Sequence, residues 1–172
     1  ASFICNLKII YVHTTDLAKN DTSETFVFNN ALSFAEEGVE THLFITNRSL
    51  TSGIDLIKEK FNFKILPDNF FLHAIHLKGK SNWSFYRRVA SALKESVFKD
   101  AIIITRKHSI LPHILLSRKG TQRLFFETHD FFYDLSIRKD IVRSSRRKQS
   151  IIEKIFFRKL DGLICLNRFQ QE

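Results

Sequence analysis

The chain has 172 residues, a length typical of one domain, and its hydrophobic content of 44% excludes an intrinsically disordered protein. Its longest apolar runs, such as 101–104 and 163–166, are too short to cross a bilayer, so we expect no transmembrane helix. The net charge of +9 favours an acidic partner, namely nucleic acid, anionic lipid or a phosphorylated substrate.

Much of the positive charge lies in one stretch near the carboxyl end. From Arg138 to Lys159, nine basic residues are opposed only by Asp140 and Glu153, which leaves seven of the nine excess charges there. The pattern is compatible with a solvated helix face and equally with a surface for an acidic partner. We expect any acidic partner of the domain to bind this stretch.

The cysteines and the first residues bear on where the protein works. Cys5 and Cys165 lie near opposite ends of the chain, and neither has a metal-ligand neighbour at useful spacing. We therefore predict two reduced, structural thiols, with Cys165 in a core strand. Residues 1–6 lack the basic segment that opens a signal peptide. A cytoplasmic location fits both observations.

Short apolar runs alternate with helical patterns from the start of the chain. The first run, 7–12, is rich in Ile and is typical of a strand buried on both faces. After a polar loop, Asp21 and Glu24 have the spacing of a helix N-cap and its N3 partner. Gly38 ends this helix, and a strand predicted over 41–46 completes a βαβ unit.

The same alternation continues along the rest of the chain. Further helices are predicted over 54–60, 84–98, 109–117 and from Ser144 or Ser145 to 159 or 160. Further strands are predicted over 71–77, 101–105, 123–126 and 162–166. Six strands alternating with helices predict an α/β fold with a Rossmann-like, doubly wound parallel sheet. The chain stops inside the first turn of another helical pattern, so we expect it to be part of a longer protein.

Ligands of such sheets bind outside the carboxyl ends of the strands, which selects the loops 13–22, 106–109 and 127–134. The first loop has neither GxGxxG nor GxxxxGK[ST], so we do not expect an NAD- or ATP-binding domain. The third contains Glu127, His129 and Asp130, directly after a buried strand. His129 is suited to hydrogen-bond a substrate hydroxyl or to carry a proton, and Asp130 to fix its tautomer. A capped turn with solvated carboxylates is the alternative interpretation.

We predict no metal site in this sequence. The third loop has no further ligand at fixed spacing. His73 and His76 are predicted to lie in one strand and to point to opposite faces, which disfavours a shared metal ion.

Four motifs together resemble a known family. Residues 35–44 resemble its opening of helix, glycine and strand; 102–106 a strand that ends in Arg; 126–130 an F/Y-E-x-H-D loop; and 160–167 a closing D-G-I-I-x-V-S strand. Over nearly all its length, the chain thereby resembles the N-terminal domain of glycosyltransferase family 4 enzymes, which have the GT-B fold. One departure is that 22–24 read Thr-Ser-Glu where many members have Gly-Gly-x-Glu. Without the glycines, close approach of donor phosphates to this turn is in doubt.

The resemblance implies retaining transfer of a sugar from a nucleotide sugar to a glycan or lipid-linked acceptor. It implies that this domain binds the acceptor and no cofactor, and that the donor binds mainly a C-terminal domain absent from this chain. His129 is implied as the catalytic residue beside the reacting sugar. The residues implied at the acceptor cleft are Glu24, Arg106, Glu127 and Asp130.

Because many enzymes of this family act on lipid-linked acceptors, the resemblance also implies that the basic stretch docks reversibly on the inner face of the membrane. The residues predicted to face an anionic surface are Arg146, Arg147, Lys148, Lys154 and Arg158. The apolar side of the same helix is assigned to the core, with Ile151, Ile152, Ile155, Phe156 and Leu160. Trp83 begins an aromatic and basic segment, and it either lies at an interface or packs inside.

Two other hypotheses compete with the glycosyltransferase. A basic Rossmann-like module that binds nucleic acid without catalysis fits the charge. We expect no nucleic-acid partner, because no helix-turn-helix, RRM or KH signature accompanies that charge. A non-catalytic interaction domain is the third hypothesis, and the loop at His129 is an argument against it.

Overall fold

The computed structural model describes residues 7–19, 22–62, 65–128 and 143–165, with the side chains of the last range described from 148 onward. The strands are β1 (Lys8–Asp16), β2 (Glu40–Asn47), β3 (Phe70–His76), β4 (Ile102–Thr105), β5 (Arg123–Thr128) and β6 (Gly162–Cys165). The helices are α1 (Thr22–Glu36), α2 (Gly53–Phe61), α3 (Trp83–Ala92), α4 (Leu111–Ser117) and α5 (Arg143–Phe156). Single 3-10 turns occur at Ser96–Phe98, His108–Ile110 and Phe157–Lys159.

The six strands form one parallel sheet in the order β3-β2-β1-β4-β5-β6. The predicted α/β, Rossmann-like doubly wound sheet is therefore confirmed. The strand order reverses between β1 and β4, since the chain moves outward to β3 and then returns to the other side of β1. That reversal opens a crevice outside the carboxyl ends of these two strands, where ligands of open parallel sheets bind.

Helices cover both faces of the sheet. Because successive strand residues point to opposite faces, Tyr11 of β1 packs with α1 and α2, whereas its neighbour Ile10 packs with α3 and α4. Phe28 of α1 and Phe85 of α3 are fully buried in these two layers. The strands are thus buried on both sides, as their continuous apolar runs require.

The ends of two strands differ from the predictions in a way that bears on the site. β1 continues past 12 to Asp16, through part of the predicted loop, because Asp16 still pairs with Thr46 after a register shift. β5 continues past 126 to Thr128, because Glu127 and Thr128 pair with β6. Glu127 therefore has a strand backbone that fixes its direction. Asp21, the predicted N-cap of α1, lies outside the described residues.

The helix predicted over 84–98 is wrong at its carboxyl end, because α3 stops at Ala92. The side-chain amide of Gln122 donates hydrogen bonds of 2.8 Å to the carbonyls of Leu93, directly after α3, and of Phe98 in the following 3-10 turn. The first of these bonds satisfies an acceptor that the end of the helix leaves open. Phe98 is buried at 4% exposure, whereas its neighbour Val97 is 48% exposed.

The assignment of the apolar side of α5 to the core is correct for Ile152, which packs against it, and wrong for Ile151 and Ile155. Ile151 and Ile155 are 55% and 50% exposed, and Glu153 is buried at 1% exposure. The physical reason is that the Glu153 carboxylate pairs with His108 beneath the helix. This buried hydrogen bond therefore accounts for a rotation of α5 that leaves Ile151 and Ile155 outside the core.

Two further observations complete the fold. Cys165 ends β6 and is partly exposed, and Cys5 lies outside the described residues. Within the described ranges, no helix combines the length and the apolar character needed to cross a membrane.

Candidate functional site

A cleft of about 190 Å³ lies outside the carboxyl ends of β1, β4 and β5, at the point where the strand order reverses. It is lined by His13, Ser23, Arg106, Lys107, His108, Phe126, Glu127 and Thr128. The lining comes from the strand ends, the first turn of α1 and the segment after β4. Most of these side chains are polar, so the cleft is suited to a hydrophilic ligand held by hydrogen bonds.

Arg106 follows β4 directly, and its side chain is only 8% exposed. The guanidinium carbon lies 4.3 Å from the ring centroid of Phe26, and this cation–π contact restricts the orientation of the guanidinium plane. On the other side, Arg106 Nε is 3.8 Å from Glu127 Oε1. The nitrogen Nη1 is buried and has no hydrogen-bond partner within residues 7–19, 22–62, 65–128 and 143–165. A buried charged donor without a partner is costly to a folded protein and is best satisfied by a ligand.

Glu127 is buried at 3% exposure and is held from the sheet side. The hydroxyl of Tyr11 donates a hydrogen bond to Glu127 Oε2, and Asn30 Nδ2 is 3.5 Å from Oε1. Burial first, and then the Glu127 carboxylate, raise the pKa of the Tyr11 hydroxyl well above its ordinary value. Tyr11 therefore remains a donor at any physiological pH, and it fixes the carboxylate that faces Arg106.

His108 is a lining residue whose importance the sequence analysis missed. Its Nε2 is 2.8 Å from Glu153 Oε1, and the imidazole lies 4.7 Å from the ring of Phe126 between centroids. Both members of the pair are buried. Two signals in the sequence could have pointed to this pair. His108 lies in the loop 106–109, which was selected as a ligand-binding loop, and Glu153 is one of only two acids in the basic stretch 138–159. The distance between them in sequence hid the pairing.

Two lining residues lie on either side of the first β-to-α connection. His13 lies within the extended β1, is 5% exposed, and its Nδ1 accepts a hydrogen bond of 3.0 Å from the backbone N–H of Thr15. In the neutral ring the proton is therefore on Nε2. Ser23 lies in the first turn of α1, a helix of 15 residues whose amino end is a favourable place for negative charge.

The structure brings Arg106 and Glu127 together in the cleft and places Glu24 elsewhere. Glu24 is fully buried, and its carboxylate is 2.6 Å from the ammonium of Lys60 on α2. His129 and Asp130 lie outside the described residues, and their roles stay predictions.

The predicted anionic-surface residues lie on α5, except Arg158, which lies in the 3-10 turn that follows it. Lys148, Lys154 and Arg158 are exposed, whereas the side chains of Arg146 and Arg147 lie outside the described residues. Trp83 is 58% exposed and meets the ring of His113 edge-on.

A second polar cluster crosses the sheet near the amino ends of its strands. His42 on β2 contacts His73 on β3 at 2.9 Å between ring nitrogens, and its other nitrogen is 2.9 Å from Glu40. Lys8 completes the cluster at 2.6 Å from Glu40. His76 is exposed and contacts the carbonyl of Ser49 instead. Among residues 7–19, 22–62, 65–128 and 143–165, no group of three His, Cys, Asp or Glu side chains is placed to hold a metal ion.

The fold and the cleft define a Rossmann-like α/β domain with a polar crevice at the switch point of its parallel sheet. Comparison with protein-family models finds no match, and comparison with curated protein sequences finds no relative. The function is therefore argued from the residues and from the geometry of this cleft.

Proposed function

We propose that the chain is the acceptor-binding domain of a retaining glycosyltransferase that moves a sugar from a nucleotide sugar to a glycan or lipid-linked acceptor. One observation supports this proposal above the others. Arg106 and Glu127 come from two separate motifs that resemble glycosyltransferase family 4, and their side chains meet 3.8 Å apart in the cleft. The cleft also lies where ligands of this type of sheet bind.

The chemistry of the lining suits an acceptor rich in hydroxyl groups. Ser23 and Thr128 supply hydroxyls, and Arg106 and Lys107 supply N–H donors, so the lining offers groups that sugar hydroxyls pair with. In this proposal a second domain brings the nucleotide sugar to the open side of the cleft. His129 is the predicted group beside the reacting sugar.

The test uses the longer protein that the proposal requires. Purified enzyme is incubated with UDP-, GDP- and ADP-linked sugars and a cell-derived acceptor fraction, and labelled product is quantified. We expect transfer with one donor, a large loss in His129→Ala, and an unchanged amide NMR or circular dichroism spectrum. Exchange of Glu59, an exposed residue of α2, for Ala is the matched control and should leave the rate unchanged.

Two results would count against the proposal. Unchanged turnover in His129→Ala would remove this residue from the reacting centre. Failure of every donor, together with tight and steeply salt-dependent binding of duplex DNA, would favour the nucleic-acid module instead.

We also propose that α5 docks on an anionic membrane, which would bring a lipid-linked acceptor to the cleft. At 100° per residue, the side of α5 opposite the buried Glu153 carries the exposed Lys148 and the half-exposed Ile151 and Ile155. Exposed Lys154 lies at the edge of this side, and exposed Arg158 follows in the 3-10 turn after the helix. A basic face with apolar side chains is typical of interfacial helices, at about 1 kcal/mol per well-placed Lys or Arg.

Co-sedimentation with phosphatidylglycerol vesicles tests the docking surface, with duplex DNA as competitor and a salt series. We expect the 172-residue chain to bind the vesicles, and Lys148→Glu/Lys154→Glu/Arg158→Glu to lose binding. The matched control is Arg87→Glu/Arg88→Glu/Lys94→Glu, which makes the same charge change on and just after α3. Equal binding by both triple variants would assign the effect to net charge and would remove α5 from the proposal.

A further inference from the structure

The buried guanidinium of Arg106 holds more binding capacity than its protein partners use. Its Nε faces Glu127 at 3.8 Å, beyond good hydrogen-bond distance. Its Nη1 has no hydrogen-bond partner among the described residues, although the side chain is only 8% exposed. Glu127 cannot turn further toward it, because the Tyr11 hydroxyl and Asn30 already engage both carboxylate oxygens. The guanidinium is therefore held in place with a donor left over.

The charges around the cleft favour an anion at that donor. Two cations, Arg106 and Lys107, and one acid, Glu127, line the cleft, so its lining carries a net positive charge with neutral histidines. Ser23 adds the positive amino end of α1. A neutral hydroxyl would satisfy Nη1 but would leave this charge uncompensated, whereas a carboxylate or phosphate satisfies both.

The size of the cleft limits the ligand to a small group. Its volume of about 190 Å³ accommodates an oxyanion together with part of one sugar ring. Phe26 packs on the guanidinium at 4.3 Å and keeps the donor plane fixed, so the group is preorganised for an oxyanion.

We propose that Arg106 anchors an oxyanion of the acceptor, so that the substrate class of this site is an acidic sugar, either carboxylated or phosphorylated. The assignment of the bound sugar as the acceptor rests on the proposed function, whereas the anion site rests on the geometry of Arg106. The acidic group would orient the sugar at the carboxyl ends of β1 and β4, where the strand order reverses. The Glu127 carboxylate would repel a second anion on its own side of the guanidinium.

The experiment reads the Arg106 Nε–Hε signal in ¹⁵N NMR spectra of the 172-residue chain. The probes are glucuronate for a carboxylate, glucose 6-phosphate for a phosphate, neutral glucose as the matched control, and UDP for donor phosphates. We expect a saturable shift with glucuronate or glucose 6-phosphate, and none with glucose. The acid that binds more tightly identifies the class of oxyanion.

Variants separate the anchor from general charge. Arg106→Lys keeps the charge but loses the planar fork. Because this variant has no Arg106 signal, its affinity is measured by isothermal titration calorimetry beside the native chain, and binding of the acidic sugar should weaken by roughly tenfold. Arg88→Lys, at an exposed position on α3, should leave binding unchanged. Dispersion of the backbone amide signals checks that each variant is folded. The titration of the Arg106 signal is carried out on the native chain, so it tests the proposal even if a variant fails to fold.

Three outcomes would overturn the proposal. Equal binding of glucose and the acidic sugars would make the acceptor neutral. An unmoved Arg106 signal with every probe would remove the anion site, while the transfer assay would still decide the proposed function independently. A stronger shift with UDP than with either acidic sugar would assign the oxyanion to the donor and not to the acceptor.

Discussion

His108 Nε2 and Glu153 Oε1 lie 2.8 Å apart inside the protein and join the candidate cleft to α5. His108 lines the cleft on one side, and Glu153 is the buried acid of an otherwise basic helix. The pair therefore connects the segment after β4 to a helix that begins beyond β5.

Glu153→Ala should lower the free energy of unfolding by about 1–3 kcal/mol, because it leaves the buried imidazole of His108 without this acceptor. The measurement is urea denaturation of the single and double variants. We expect His108→Ala/Glu153→Ala to cost less than the two single changes added together, since both remove the same contact. Full additivity would mean that the two residues do not interact in solution.

Gln122→Ala should also destabilise the fold by about 1–3 kcal/mol, since it uncaps the buried carbonyls of Leu93 and Phe98. Urea denaturation again measures the change. Glu59→Ala on the exposed surface of α2 is the control and should change stability by less than about 0.5 kcal/mol. If Gln122→Ala behaved like this control, the ending of α3 would need another cause.

Stability should fall in mild acid because of His73. Burial first, and then the neighbouring His42, lower the pKa of His73 to about 4. The unfolded chain keeps a histidine pKa of about 6.5, so between these values the unfolded state binds more protons than the folded state. The contribution is complete above pH 6.5 and is lost as pH falls toward 4.

Thermal unfolding at pH 7 and pH 4.5 measures this loss. We expect the midpoint to drop by about 2–4 °C or more in the native chain and by much less in His73→Phe. His76→Phe, at an exposed position on the same strand, should keep the native dependence. Burial opposes ionisation of Glu40, but hydrogen bonds from His42 and Lys8 outweigh burial and lower its pKa, so its contribution is lost as pH falls through and below the ordinary value of 4.5. A native-like drop in His73→Phe would assign the effect to another group.

Gly162→Ala should destabilise the chain by about 1–3 kcal/mol, because a Cβ there would lie 2.7 Å from the ring of Phe125. Gly120→Ala is the matched control, since a Cβ there meets no atom within 4 Å. Chemical denaturation of both variants measures the difference. An unchanged free energy of unfolding in Gly162→Ala would show that Phe125 can move aside and that β6 tolerates a larger residue beside β5.

The sheet was predictable because its signals are local. Continuous apolar runs such as 101–105 indicate strands buried on both faces, and Gly38 ends α1 with a φ of +84° that favours glycine. The rule that ligands bind at strand ends also selected Arg106 and Glu127, which line the cleft. Local pattern and topology were sufficient for these features.

The remaining features depend on partners that are distant in sequence. The end of α3 depends on Gln122, and the rotation of α5 depends on His108, neither of which belongs to the helix it affects. The contact of His42 with His73 requires the register of β2 against β3, which pairs Phe44 with His73. Periodicity within one segment contains none of this information, so each feature appears only when the chain is folded.

The rotation of α5 has a consequence for how the protein would respond to a surface. One side of the helix holds the histidine of the cleft, and the opposite side presents Lys148, Ile151 and Ile155 to the exterior. A helix with its side chains is about 10–12 Å across. A partner that displaced α5 from its outer side would therefore also displace Glu153 and the His108 imidazole that lines the cleft.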